Sequence, residues 1–263
     1  MSPALLLAIV SAAATNALSG QTSTQRVRVE EDAGPSAKRD SALVDRVRTP
    51  SDDGGYDAAR RLADGARGFR IVVSVDDRAL WVLNDNDTLR TAQVGVASGE
   101  TLTYAGRTWT FRTPRGRRTV IGSKADPVWT PPDWAYAKVA SKFKLQLGWM
   151  SPGKPITLSD GRRLTVKDGA VGLLFPDGVF VALPRDEHII FQSTLYVPPF
   201  GTRNRQVRGE LGPYSLDLGN SYLMHGGSPS DGLAPTHGCI RLSDADLEWL
   251  YRNVAIGTPV YIY

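Results

Sequence analysis

The 263-residue sequence predicts a mainly β domain, a sandwich or barrel carrying one or two helices. Three observations carry this reading: apolar residues alternate from Phe69 onward, turn signals recur between short β-rich runs, and one well-bounded helical pattern stands near the C-terminus. Hydrophobic residues at 41% and charged residues at 22% supply an ordinary globular core and exclude disorder throughout. No apolar stretch approaches the roughly 20 residues that span a bilayer, which excludes a polytopic membrane protein. A formal charge of +4 demands no nucleic-acid partner.

Residues 1–20 hold no Lys, Arg, Asp or Glu, and the apolar run Ala4 to Val10 passes into small residues ending Ala17-Leu18-Ser19-Gly20. This is read as a secretory signal peptide with a cleavage site near Gly20, although the usual basic flank is missing. The expectation is export, with no stable membrane span after cleavage. Residues 21–67 turn to Arg, Asp, Ser, Gly and Ala and are read as a disordered mixed-charge tether. Eight basic and nine acidic side chains from 21 to 66 leave the rest of the chain with a net charge of about +5. A basic exported domain suits an anionic wall polymer or lipid headgroups, though many domains are basic for solubility alone.

The domain is placed at 68–263. Ile71, Val73 and Val75 point one way, Asp76-Asp77 turns the chain, and Ala79 to Leu83 returns as a second strand. Asn84 to Asp87 makes the next turn, and Ala92 to Gly99 reads as a further strand. Thr113-Pro114-Arg115-Gly116 is turn chemistry between two β-rich runs. Thr130-Pro131-Pro132-Asp133 reads as a helix start with Thr130 as N-cap. Asp-Gly pairs at 160–161, 168–169 and 177–178 punctuate further hairpins. Ser243 to Asp246 is a capping box, with Leu247, Leu250, Tyr251 and Val254 on one helical face, Gly257 as the stop and a closing strand to Tyr263. Residues from about 125 to 208 are read as an inserted, aromatic-rich cap that packs its own small core.

Cys239 is the single cysteine, so an exported chain cannot close it into an internal disulfide. It is inert, paired between chains, or a working thiol. Two of the three histidines gather near it: His225 lies 14 residues before it in a Gly- and Pro-rich stretch, and His237 two residues before. A nucleophilic thiol needs a base or cation within reach to lower its pKa, and backbone amides aimed at the developing oxyanion. Gly238 permits close approach to the backbone, and the amides around His237, Gly238 and Cys239 are candidate donors. Spacing alone leaves either histidine as the base. The trio are also zinc-ligand types, but a lone Cys with a His-x-Cys spacing makes a poor closed site, so no metal is expected. His188 reads as a loop or strand-edge residue.

Thr236-His237-Gly238-Cys239-Ile240-Arg241-Leu242, preceded by Met224-His225-Gly226-Gly227, resembles the signature of the L,D-transpeptidase catalytic domain family. The Thr113-Pro114-x-Gly116 turn, the run ending Ser98-Gly99, Leu211-Gly212 and the close at Gly257-Thr258 fall in the family's order. The resemblance implies a β-sandwich-like domain in the periplasm or cell wall that remodels peptidoglycan without a cofactor. It implies Cys239 as nucleophile, His225 as general base, and His237 and Gly238 as oxyanion and orientation residues. Thr236 holds the motif's Ser/Thr position, and Arg241 orders the loop or meets a carboxylate. Gly226 and Tyr222 are candidate substrate contacts. The implied partners are a donor and an acceptor peptidoglycan stem peptide, and the expected state is a monomer. Attack on a tetrapeptide stem would expel D-alanine, and a neighbouring stem amine would take the acyl group in a 3→3 cross-link. Hydrolysis by water and a non-catalytic wall-binding module are the alternatives. Gly227 stands where the resemblance leads one to expect a polar residue.

Overall fold

The structure is a computed structural model that describes residues 8–9, 53–185, 187–227 and 233–263. Apart from a two-residue strand at Ala8–Ile9, the signal-peptide reading and the tether up to residue 52 fall outside the described residues. Among the described residues, no helix is long and apolar enough to cross a membrane. Among the described residues there are three α-helices, α1 (Asp53–Gly65), α2 (Asp133–Phe143) and α3 (Asp244–Asn253), one more than the upper expectation. The chain divides into two compact units. One holds Leu102–Trp109 and Trp129–Val207; the other holds Thr110–Val128, Arg208–Tyr263 and the described part of Ala33–Thr101.

The second unit is a β-sandwich. Its strands are β1 (Phe69–Ser74), β2 (Ala79–Asn84), β3 (Asp87–Gln93), β4 (Gly116–Thr119), β5 (Gly122–Ala125), β6 (Tyr214–Asp217), β7 (Leu223–His225), β8 (Ile240–Arg241) and β9 (Pro259–Ile262). One sheet runs β3-β2-β1-β9-β4 and the other β8-β7-β6-β5. Period-2 alternation sends Ile71, Val73, Leu80, Val82, Val260 and Ile262 of the first sheet to one face. These meet Leu216, Met224 and Ile240 of the second, with Leu247 and Leu250 of α3, in a single fully buried core. The last strand closes this core because β9 pairs parallel with β1, Val72 opposite Tyr261, and antiparallel with β4.

Three local expectations need correction. The tether's last third is helical: α1 buries Ala59 and Ala63, four residues apart on one face, and packs on β9 and β4. Two alanines present so little apolar area that composition does not announce the helix. The stretch 92–99 is not one strand: β3 ends at Gln93, and beyond it only Gly95 and Ala97 make bridges, to Arg241 and Thr236. α2 starts from Pro132, not Thr130, with no side-chain cap. Asp133, which a cap would leave near the helix amides, is drawn instead into an ion cluster. For α3, Ser243 does cap, its Oγ accepting from the Asp246 amide at 3.1 Å.

In the other unit, strands 156–157, 163–167, 170–174 and 180–182 form an antiparallel sheet. The turn at Asp168 (φ 51) and Gly169 (φ 70) has the two positive φ values of a type I′ hairpin. Its aromatics largely pack inward: Phe191 with Phe175 and Tyr196 in one cluster, Tyr136 and Trp149 in another. Arg205, 3% exposed, is the polar hub. Its guanidinium donates to Pro131 O and Pro198 O at 2.8 Å and to Asp133 Oδ1 at 2.7 Å, and lies 3.6 Å from the Phe200 ring centroid. Burial alone would raise the Asp133 carboxyl, but hydrogen bonds from Arg205 and Trp149 and the nearby Arg205 and Arg107 charges hold it below the usual range. Arg205→Met is expected to destabilise the protein by about 3 kcal/mol, because it strands two buried carbonyls and an ion-pair partner. Urea unfolding checks this; an unchanged midpoint would reject the hub.

Candidate active site

The chemistry-bearing residues gather on the outer face of the β8-β7-β6-β5 sheet. β7 and β8 are parallel, with Met224 opposite Ile240 and His225 opposite Arg241. Met224 and Ile240 point into the core, so alternation turns their strand neighbours outward, Leu223 and His225 on one strand and Arg241 on the other, and Cys239, just before β8, takes a hydrogen bond from the Leu223 backbone. Fourteen residues of sequence separation thus become adjacent-strand proximity. The same row continues through Ser215, paired with His225, to Lys124 at the sheet edge.

The backbone separates the surroundings of the two histidines. The chain does not run extended from His237 to Cys239; it bends at Gly238, whose φ is +144°. His237 therefore turns to Phe111, its ring edge-on at a centroid distance of 4.5 Å. His225 is buried, and its Nδ1 lies 2.5 Å from Gly226 O. A carbonyl only accepts, so Nδ1 carries the proton and Nε2 of the neutral ring is an acceptor. Burial first, then the Arg241 charge, pushes the His225 pKa down to about 4, against the pull of the Gly226 hydrogen bond.

The thiol departs from the expectation of a lowered pKa. Burial pushes Cys239 up, and a backbone hydrogen bond from Leu223 and the Arg241 charge offset this only in part. Burial thus disfavours the charged form of both groups, and both shifts run against a thiolate–imidazolium pair.

The loop that carries Cys239 is built by its neighbours. Thr236, 5% exposed, donates from Oγ1 to Cys239 O at 2.6 Å and accepts from the Gly238 amide at 3.2 Å. Its backbone bonds Val96 and Ser98, so the loop is anchored at both levels. A Cβ on Gly238 would stand 2.9 Å from Tyr222 Cε1 and 3.3 Å from Arg112 O. Tyr222 thus packs against the loop, with the Arg118 guanidinium 5.3 Å from its ring centroid. Gly226 sits in packing: its amide donates to Leu211 O at 3.0 Å, and a Cβ there would meet Asp244 Oδ1 at 2.7 Å. Gly227 is explained by Arg241, whose Nε would lie 3.2 Å from a Cβ at that position. Residues 228–232 of the same stretch lie outside the described residues. His188 belongs to the other unit, in the strand Glu187–Phe191, edge-on to Tyr136.

Sequence reading missed the contributions of Phe111, Arg112 O, Ser215 and the Leu223 backbone. The Leu223 contribution follows from strand register, which no motif encodes. Gly238→Ala is expected to cost about 1–3 kcal/mol, since it adds a clash to a backbone conformation that side chains avoid. Thermal unfolding checks this, and retention of the wild-type Tm would show that Tyr222 yields freely.

The model of the L,D-transpeptidase catalytic domain, YkuD, matches residues 68–262. This chain belongs to that family. Two curated Escherichia coli K12 proteins are similar over short stretches. The protein named Probable L,D-transpeptidase YbiS is 38% identical over 52 residues, 19% of this chain and 17% of its own length. Probable L,D-transpeptidase ErfK/SrfK is 39% identical over 54 residues, 20% of this chain and 17% of its own length. The match thus spans about a sixth of these relatives. Among solved structures, the L,D-transpeptidase of Xylanimonas cellulosilytica is 19% identical, with 76% of this chain and 62% of that chain covered and a TM-score of 0.38. The Mycobacterium smegmatis enzyme is 15% identical, with 75% and 59% covered and the same TM-score of 0.38.

Proposed function

We propose that this L,D-transpeptidase-family chain is an exported transpeptidase that works on peptidoglycan stems through a Cys239 thioester. The observation that carries the reading is the strand register, which sets His225 on the strand beside the one that follows Cys239, while the Nδ1 contact with Gly226 O leaves Nε2 as the ring's acceptor. In this mechanism Cys239 Sγ attacks the carbonyl at the L-centre of the stem's diamino acid as His225 Nε2 takes the thiol proton. The negative charge passes to the former carbonyl oxygen, met by the Cys239 amide and the Arg241 charge. Collapse of the tetrahedral intermediate breaks the C–N bond, and His225 returns the proton to the departing D-alanine amine.

An amine of a neighbouring stem then attacks the thioester, gives its proton to His225, and releases the thiol with a 3→3 cross-link formed. Thr236 and His237 hold the turn rather than touch the reacting atoms, and Gly226 and Tyr222 shape it by packing. Water as acceptor would make the same site a carboxypeptidase. Intact mass of the protein after incubation with a tetrapeptide-stem disaccharide, and separately with a carbapenem, tests the reading. A Cys239 adduct with D-alanine release is expected. A folded sample yielding neither would leave a non-catalytic wall-binding module.

A further inference from the structure

The other sheet carries a groove on its outer face. Alternation along β1 and β2 turns Arg70, Val72, Trp81 and Leu83 away from the shared core, beneath the end of α1. There they line a groove of about 480 Å³, within the range of small-ligand sites, together with Arg67, Asp85, Asn86 and Tyr263. The catalytic row and this groove occupy opposite outer faces of one sandwich. The groove therefore plays no part in the chemistry at Cys239.

Its chemistry is specific. Trp81 is a half-buried aromatic side chain whose π-face attracts the weakly positive C–H face of a pyranose ring, while the Tyr263 ring, with the Arg60 guanidinium 5.6 Å from its centroid, forms a wall of the groove. Arg67 and Arg70 stand against Asp64 and Asp85, so the lining has no net charge to favour an anion. Arg70 is 5% exposed; its Nη1 donates to Gly68 O and Asp85 O, while its Nε is buried with no hydrogen-bond partner among the described residues. A buried donor left unmade costs free energy that a bound acceptor would recover. The Trp81 face beside amide, guanidinium and carboxylate groups matches a neutral, hydroxyl-rich, N-acetylated sugar.

We propose that this groove binds the N-acetylated β-1,4 glycan backbone of the wall polymer, tethering the enzyme to one strand while Cys239 acts on stems. This rests on the peptidoglycan reading above. The test is titration of the full chain with a β-1,4 N-acetylglucosamine tetramer, followed by NMR of the Trp81 indole and Asn86 amide. Saturable shifts are expected at both groups. Trp81→Ala is expected to weaken binding at least tenfold, and Asn86→Ala, at an exposed turn, several-fold, while Cys239→Ala binds as wild type. Absence of saturable shifts, or wild-type affinity in both groove variants, would overturn the proposal. Thioester formation without glycan binding rejects the groove alone, whereas glycan binding without a thioester rejects the catalytic reading alone.

Discussion

Cys239→Ala is expected to abolish both the acyl adduct and D-alanine release, leaving the fold and any glycan binding intact. The effect is large because the residue supplies the nucleophile, and no second thiol exists anywhere in the chain to replace it. The fold is spared because Cys239 is half-buried and the loop is held by backbone and Thr236 contacts that do not involve the sulfur. Thr236 Oγ1 bonds the Cys239 carbonyl, which alanine retains. Quantifying released D-alanine against a Tm measured on the same sample separates the two effects. Product formation persisting in a folded Cys239→Ala protein would remove the nucleophile from the mechanism. The Ser variant is a harder test: it keeps the volume, yet a hydroxyl is a far weaker nucleophile without a stronger base.

The site was legible in the sequence to the extent that chemistry is carried by residue type. One cysteine, two histidines and a glycine turn are a local pattern, so Cys239, His225 and Gly238 could be named from spacing and resemblance. Spacing alone leaves either histidine open and only the resemblance favours His225; the bend at Gly238 and the parallel register of β7 with β8, which separate their surroundings, are not written in any local pattern. The thiol's raised pKa was likewise hidden, since burial is a property of the whole loop. The same division holds for the fold. Alternation in β1 and β2 and the cap of α3 rest on local rules, and both are present. α1 rests on two alanines meeting a sheet whose last strand lies some two hundred residues away, so it was invisible in a charged, glycine-bearing segment.

His225→Ala is expected to lower acylation by about 10²–10⁴-fold, the usual worth of a positioned general base. A sharper expectation concerns pH. A neutral thiol attacks only while the imidazole can accept its proton, so the acid limb of kcat/KM is set by His225 and is expected near its pKa of about 4, not near the ordinary 6.5. Activity should therefore persist through pH 5–6, where an unperturbed histidine would already be charged. An acid limb at 6.5, or a thiol titrating below its ordinary value, would restore an ion-pair mechanism. The same burial has a stability consequence of definite sign. Between pH 6.5 and about 4 the unfolded chain binds a proton that the folded His225 refuses, so stability falls as pH drops through this window and levels below it. The loss attributable to His225 is about 3 kcal/mol. His188, also lowered by burial, adds a slope of the same sign, so the informative quantity is the difference between wild type and His225→Gln. Urea midpoints measured across pH 4–7 are expected to converge as pH falls, because the variant lacks the group whose neutrality the fold must maintain. Parallel lines would mean that His225 is solvated and free to charge, and a histidine of that kind would lose its proton-accepting role at the same pH as any exposed one.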